Sequence, residues 1–421
     1  MLYLSRHDEQ RAHRTEAGAV PAFLSRIFGM LRIAASAGHL RVVLRDLLHR
    51  GEPLHEDEAH LRAAMDWLAR AQDVAGCGGG LSAGYSFRRG WLPPYPETTG
   101  YIIPTFLRYG EHTGDDGWIQ RAVRAGDWES EIQLAAGGVR GGQGINTEPV
   151  VFNTGQVILG WCALHRTTGH DKYLESATRA ADWLLQVQDR DGAWRQNTYE
   201  DTPHTYHSRV AWLLLEVAAA TGEARYRSAA AANLDWIIAQ ARPNGWVESM
   251  SFRCADDPYT HTIAYTYRGL LECGLQLQGD TGVSAMQLAQ LGADRLLRRY
   301  ELNKPDPHAE PWPLPATLNS RWQPSDEGSS CVPGNAQIAL LWLRLAVITA
   351  QDQAASLRWT NSALKLLDQV KATQSLHSRH DGIRGGVPGS SPVWSWYLRL
   401  TYPNWAAKFF ADALMETEAA L

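Results

Sequence analysis

The stretch Arg179-Ala180-Ala181-Asp182-Trp183-Leu184-Leu185-Gln186-Val187-Gln188, followed by Asp191-Gly192-Ala193-Trp194, decides the fold. Its pattern is apolar, Asp-Trp, apolar, a Gln, and then a turn bearing Gly or Trp. Asp66-Trp67, Asp127-Trp128 and Asp235-Trp236 occupy equivalent places, and Asp294-Arg295 and Asp368 mark two degenerate copies. Neighbouring copies lie between 53 residues (Asp182 to Asp235) and 74 residues (Asp294 to Asp368) apart. A unit of that length holds two helices and two connections. It cannot bury its apolar faces alone, so neighbours must stack. Six helix pairs that close into a ring leave no open end. The expected fold is therefore all-α, an (α/α)6 toroid of six helical hairpins in two concentric rings.

Helical periodicity supports two classes of helix. The Asp-Trp helices are expected at 60–72, 119–132, 172–188, 224–240, 284–300 and 354–373. They have one polar face, as an outer ring facing water requires. More apolar helices are expected at 100–112, 154–168, 206–221, 261–277, 335–350 and 405–418, forming the inner ring. Short connections such as Thr113-Gly114-Asp115 and Thr221-Gly222-Glu223 carry a helix-ending Gly. The opposite connections are long, and loops gathered on one face of a scaffold are where function usually sits. Residues 1–50 precede the repeat and form an N-terminal helical extension, with helices at 21–33 and 40–48. Residues 51–421 form the toroid. No segment requires a major sheet.

Net charge is −5 and the isoelectric point is near 6.3, which argues against a nucleic-acid partner. The five cysteines include no CxxC pair, so no disulfide framework is expected. No apolar run is long enough to span a membrane. The polar start, residues 1–20, is no signal peptide, so the expected location is the cytoplasm.

The inner helices open on large polar or aromatic side chains, which a closed ring gathers at one central cavity. Capping explains Ser, Thr and Asn there. It does not explain Tyr101, Gln156, Arg209, Tyr265 and Gln337, which are read as substrate-binding together with Asn153 and Lys408. The preceding loops add Glu97, Glu148 and Glu248. Cleaving a glycosidic bond needs an acid and a second carboxylate, and these are the candidates. Glu97 and Glu248 stand out because aromatic, Gly or Pro neighbours predict burial and a raised pKa. The segment from Asn197 to Arg209 is the densest in polar groups. Its Tyr206 and His207, with His261, would suit proton abstraction beside a carboxylate neutralised by Arg209, as in a lyase or uronate epimerase. His204 and His207 have i, i+3 spacing, but no third and fourth ligand completes a known zinc pattern, so no metal is expected. No cofactor is expected either. Trp246, Trp322 and Trp394 in the long loops are candidates for stacking on sugar rings.

The copy from Arg179 to Trp194 resembles the QW repeat of squalene-hopene cyclases. The Asp-x-Asp-Asp acid motif of those enzymes is missing. A broader resemblance rests on Tyr95-Pro96-Glu97-Thr98-Thr99-Gly100-Tyr101, Phe152-Asn153-Thr154-Gly155-Gln156, Tyr206-His207-Ser208-Arg209, His261-Thr262-Ile263-Ala264-Tyr265, Gly334-Asn335-Ala336-Gln337 and Tyr402-Pro403-Asn404-Trp405. These are similar to a bacterial family of α/α-toroid proteins associated with exopolysaccharide biosynthesis, loosely labelled prenyltransferase-like. The chain departs from that pattern at His207, where Asn is expected. The resemblance implies carbohydrate chemistry and exopolysaccharide-biosynthesis proteins as partners. The expectation is a glycoside hydrolase acting on a bacterial polysaccharide or oligosaccharide with two carboxylates. A lyase or epimerase, an isoprenoid cyclase-like enzyme and a non-catalytic glycan-binding protein remain open alternatives.

Overall fold

The Asp-Trp helices recur as α2 (Asp57–Asp73), α4 (Asp116–Ile132), α6 (Asp171–Gln186), α8 (Ala224–Ile238), α10 (Asp280–Leu302) and α12 (Gln353–Lys371). Alternating with them are α3 (Pro96–Thr113), α5 (Val151–Thr168), α7 (Ser208–Thr221), α9 (Thr260–Gln276), α11 (Val332–Ile348) and α13 (Asn404–Ala420). The structure is a computed structural model describing residues 36–74, 77–144, 148–302, 312–326 and 328–420. The second set packs side by side as the inner ring, and each outer helix packs chiefly on the inner helix that precedes it, with α2 on α13. The ring closes where α13 packs against α2 and α3. The fold is the expected α/α toroid.

The repeated phrase acts as a set of hydrogen bonds between neighbouring outer helices. Asp182 accepts from the Tyr226 hydroxyl at 2.7 Å, Asp127 from Tyr173 at 2.9 Å, and Asp235 from Thr281 at 2.8 Å. The Gln holds its own turn and the next outer helix at once. Gln188 donates to the Gly192 and Ala229 carbonyls at 2.9 and 3.0 Å. Gln133 does the same to Gly137 and Ser176 at 2.8 and 3.0 Å, and Gln72 to Gly79 and Arg121 at 3.0 and 2.9 Å. In the last copy Gln374 donates to Gly385 at 2.7 Å and to His60 of α2 at 3.3 Å, which joins the end of the ring to its start. Trp194 is fully buried and its indole N–H donates to the Leu184 carbonyl at 2.9 Å, so burial leaves no orphaned donor.

Short inner-to-outer connections begin at Gly114, Gly169 and Gly222, with φ of 68°, 70° and 76°. Their backbone N–H groups close the helices onto Gly110, His165 and Ala218. This left-handed cap favours a residue without Cβ. The long connections collect on the opposite face, where the inner helices begin. Only two- and three-residue strands form among the described residues there: β1 (Gly84–Ser86), β2 (Gly90–Trp91), β3 (Ser330–Cys331), β4 (Ser390–Ser391) and β5 (Thr401–Pro403). The order β2-β1-β5 is antiparallel and staples the last loop onto the first.

In the N-terminal part, α1 (Ala37–Leu47) lies on this loop face. His39 is 3.1 Å from the Tyr85 hydroxyl, and Asp46 accepts from the Val393 N–H at 2.7 Å. The helix expected at 21–33 lies outside the described residues.

Candidate active site

Pro96 sets the first turn of α3, and its lack of N–H costs nothing at a helix start. Glu97 follows and is buried, 6% exposed, beside the toroid axis. The Tyr95 hydroxyl donates to its Oε2 at 2.5 Å. Burial pushes the Glu97 carboxyl above the usual carboxylate range, and the positive charge of Arg209 pulls the other way.

Around Glu97 the inner-helix starts form a narrow cleft. Tyr95, Tyr101, Tyr265 and His261 surround its polar centre, and Phe152, Phe252, Tyr397 and Trp405 supply aromatic walls. An adjoining lobe of about 220 Å3 shares Tyr95, Phe152 and Tyr206 and extends to Asn153, Tyr199, Glu200 and His207. Tyr206 and His207 come from a 3-10 turn, Thr205–His207, that precedes α7. The Tyr206 hydroxyl and His207 Nδ1 are buried and find no hydrogen-bond partner among the described residues. Buried polar atoms are rarely left so, and a ligand in the cleft can satisfy them.

His261 opens α9. The Gln337 amide donates to its Nδ1 at 2.5 Å and also to the Pro333 carbonyl at 3.2 Å. The second bond assigns the amide orientation, so Nδ1 is the acceptor and Nε2 carries the proton. Burial, and then the charge of Arg209, pushes the His261 imidazole down to about 3, so it stays neutral. Below the cleft lies a floor. Arg209 Nε donates to Gln156 Oε1 at 2.9 Å, and its guanidinium sits 4.8 Å above the Tyr265 ring.

The structure thus brings Glu97, Tyr101, Tyr206, His261 and Tyr265 to one cleft, with Asn153 and His207 in the adjoining lobe. Gln156 lies under the cleft, and Arg209, Gln337 and Lys408 line a cavity at the opposite mouth. Lys408 is ion-paired to Asp412 at 2.5 Å.

The expected opposition of Glu97 to Glu248 or Glu148 is not found. The isolated bridge between Ala241 and Val247 folds a turn that aims Glu248 at Arg242, with which it pairs away from the cleft. Glu148 is exposed. Trp246 and Trp322 are also misplaced by the sequence reading. They meet edge to face at 5.2 Å, and Trp322 also stacks on Tyr267, so both are buried anchors of the loop layer. Trp394 is half-buried against the core. Proton abstraction assisted by Arg209 fares no better, because that guanidinium lies in the floor and does not line the cleft.

Phe252 and Tyr397 were not foreseen as cleft residues. Both lie in irregular loops, where no helical register signals direction. Glu200 is the carboxylate of the lobe. It pairs with Arg253 at 3.1 Å and has φ of 55°, between Asn197 at 57° and Asp201 at 47°. Left-handed backbone at non-glycine residues is unusual and gathers at functional loops.

A family model described as the squalene-hopene cyclase C-terminal domain matches residues 91–272. No curated protein matches the chain. Among solved structures, an unsaturated glucuronyl hydrolase specific for heparin is 14% identical, with TM-score 0.62, covering 86% of this chain and 98% of its own. The unsaturated glucuronyl hydrolase of Bacillus sp. GL1 is 15% identical, with TM-score 0.63, covering 85% and 96%. That of Streptococcus agalactiae is 14% identical, with TM-score 0.59, covering 88% and 94%. At such identity the likeness shows a shared toroid fold.

Proposed function

We propose that this protein is a carbohydrate-active enzyme that hydrolyses a glycosidic bond, with Glu97 as the general acid. The observation that carries the reading is a single buried carboxyl with a raised pKa at the centre of an aromatic-walled cleft. A raised pKa favours the protonated carboxyl, from which a leaving-group oxygen can take the proton. Trp405, Tyr397 and Phe252 offer faces for sugar rings. Glu200 in the adjoining lobe takes the place assigned earlier to Glu248. Both Glu97 and Glu200 act on the Tyr206 phenol, which sits between the two compartments. In this scheme Glu97 protonates the glycosidic oxygen and the bond to the anomeric carbon breaks. Water adds to that carbon and its proton passes to Glu200. The names of the structural neighbours support a uronate-containing substrate, and the sequence resemblance supports a bacterial exopolysaccharide or its oligosaccharide intermediate.

The test is a digest of uronate-containing oligosaccharides by wild type, Glu97→Gln and Glu200→Gln. New reducing ends that depend on Glu97 support hydrolysis. An unsaturated uronate absorbing in the ultraviolet would replace it by a lyase. Full activity in Glu97→Gln sinks the acid assignment. A second reading, an isoprenoid cyclase-like enzyme, is favoured by the aromatic walls, which stabilise cations. Turnover of a polyprenyl substrate with no effect on glycans would select it.

A further inference from the structure

A second cavity, of about 180 Å3, opens at the opposite mouth of the toroid. The proposed reaction does not use it. Leu159, Leu340 and Phe409 give it apolar walls, and four cationic side chains face it against two carboxylates, Asp412 and Glu416. Three of the cations have carboxylate partners. Arg108 pairs with Glu416 at 2.8 Å, Lys408 with Asp412 at 2.5 Å, and Arg268 with Glu272 at 2.8 Å. Arg209 differs. It is 3% exposed and makes no ion pair among the described residues; its Nε is held by Gln156 at 2.9 Å. Its guanidinium and that of Arg268 flank one indole, 5.5 and 5.9 Å from the Trp212 ring. Two like charges gathered in a secluded well repel one another. A buried charge with no carboxylate in direct contact is costly, and Asp412, which already pairs with Lys408, acts on Arg209 only at longer range. The guanidinium fork matches the two oxygens of a carboxylate or phosphate group.

We propose that this well is a binding site for a small-molecule oxyanion, a carboxylate or phosphate group seated on Arg209 with Arg268 beside it and its body against Trp212. Nothing in the cleft reaction requires it, so it is a distinct site. One consequence rests on the Glu97 reading. The Arg209 charge opposes the raised pKa of Glu97, so an anion on Arg209 screens that pull and moves the alkaline limb of activity to higher pH.

Calorimetric titration of the full chain with inorganic phosphate, acetate and glucuronate, at low ionic strength, tests the site without turnover. Its outcome is therefore independent of the role of Glu97. Saturable binding of one of the three is expected, weakened by about tenfold or more in Arg268→Gln, as loss of a charge-assisted hydrogen bond predicts. In that variant Glu272 keeps Arg344 at 3.1 Å, so its buried carboxylate is not left unpaired, and an unchanged circular-dichroism melt checks the fold. Phosphate binding without acetate binding assigns a phosphate group, and the reverse assigns a carboxylate. No saturable binding of any of the three overturns the proposal, as does binding undiminished in Arg268→Gln.

Discussion

At the scale of single residues, the site turns on Glu97, where burial favours the protonated carboxyl. Glu97→Gln keeps the shape and removes the acid, and should lower kcat by about 10²- to 10⁴-fold. Glu248→Gln should leave it within a few-fold, because Glu248 pairs with Arg242 outside the cleft. Equal losses in the two variants would show that the cleft carboxylate has been misassigned. Tyr95 supplies a finer test. Its hydroxyl donates to the carboxyl, and a donated bond favours the charged form. Tyr95→Phe should therefore raise the Glu97 pKa further. An acid must be protonated to act, so the fall of kcat/KM on the alkaline side should move to higher pH in Tyr95→Phe. Glu97 could be found in the sequence because it falls at a helix start behind Pro96, where helical register fixes its direction. Glu248 has similar aromatic and Gly neighbours, yet a two-strand bridge sets its direction, and only Arg242 six residues earlier hints at that pairing.

Among the elements, the twelve toroid helices were legible to within a few residues, because the outer ring keeps an amphipathic period and the inner ring an apolar one. The inner starts were less so. The seventh helix begins at Ser208, after a 3-10 turn that repositions Tyr206 and His207. That turn is stabilised by contacts distant in sequence, such as Thr205 Oγ1 donating to the Glu248 carbonyl at 2.7 Å. The helix ends give a prediction with an internal control. A Cβ at Gly222 would meet nothing within 4 Å, whereas one at Gly192 would lie 2.2 Å from the Ala232 carbonyl oxygen. Both have positive φ, 76° and 88°. Gly222→Ala should cost about 1 kcal/mol from backbone conformation alone. Gly192→Ala should cost more, because its turn must also separate from α8. Denaturant titration of the two variants checks the order, and equal costs would mean that the turn yields without strain.

At the level of the whole molecule, closure of the ring brings groups into the interior that water would otherwise titrate. No residue in the sequence marks closure by itself. It follows from repeat number, and the structure shows it in Gln374 reaching His60. The inner-helix starts then converge, and His60, His204, His207 and His261 all become buried. In each, burial is the largest cause of a lowered pKa. The unfolded chain binds these protons near pH 6.5, and the folded chain refuses them. A depressed folded-state pKa gives stability that is present above the unfolded value and lost as pH falls below it. Each histidine contributes a slope of up to about 1.4 kcal/mol per pH unit. Two buried acids act in the opposite direction. Glu97 and Glu129 have pKa values raised by burial, so the stability they contribute is lost as pH rises above about 4.5. Four groups outweigh two below pH 6.5, so thermal denaturation should show the melting temperature falling as pH drops from 6.5 to 4.5. Glu129 tests the alkaline side alone, since neither of its carboxyl oxygens has a hydrogen-bond partner among the described residues. Glu129→Gln should raise the melting temperature more at pH 8 than at pH 5. An equal gain at both values would mean that Glu129 titrates normally and that water reaches the interior of the ring.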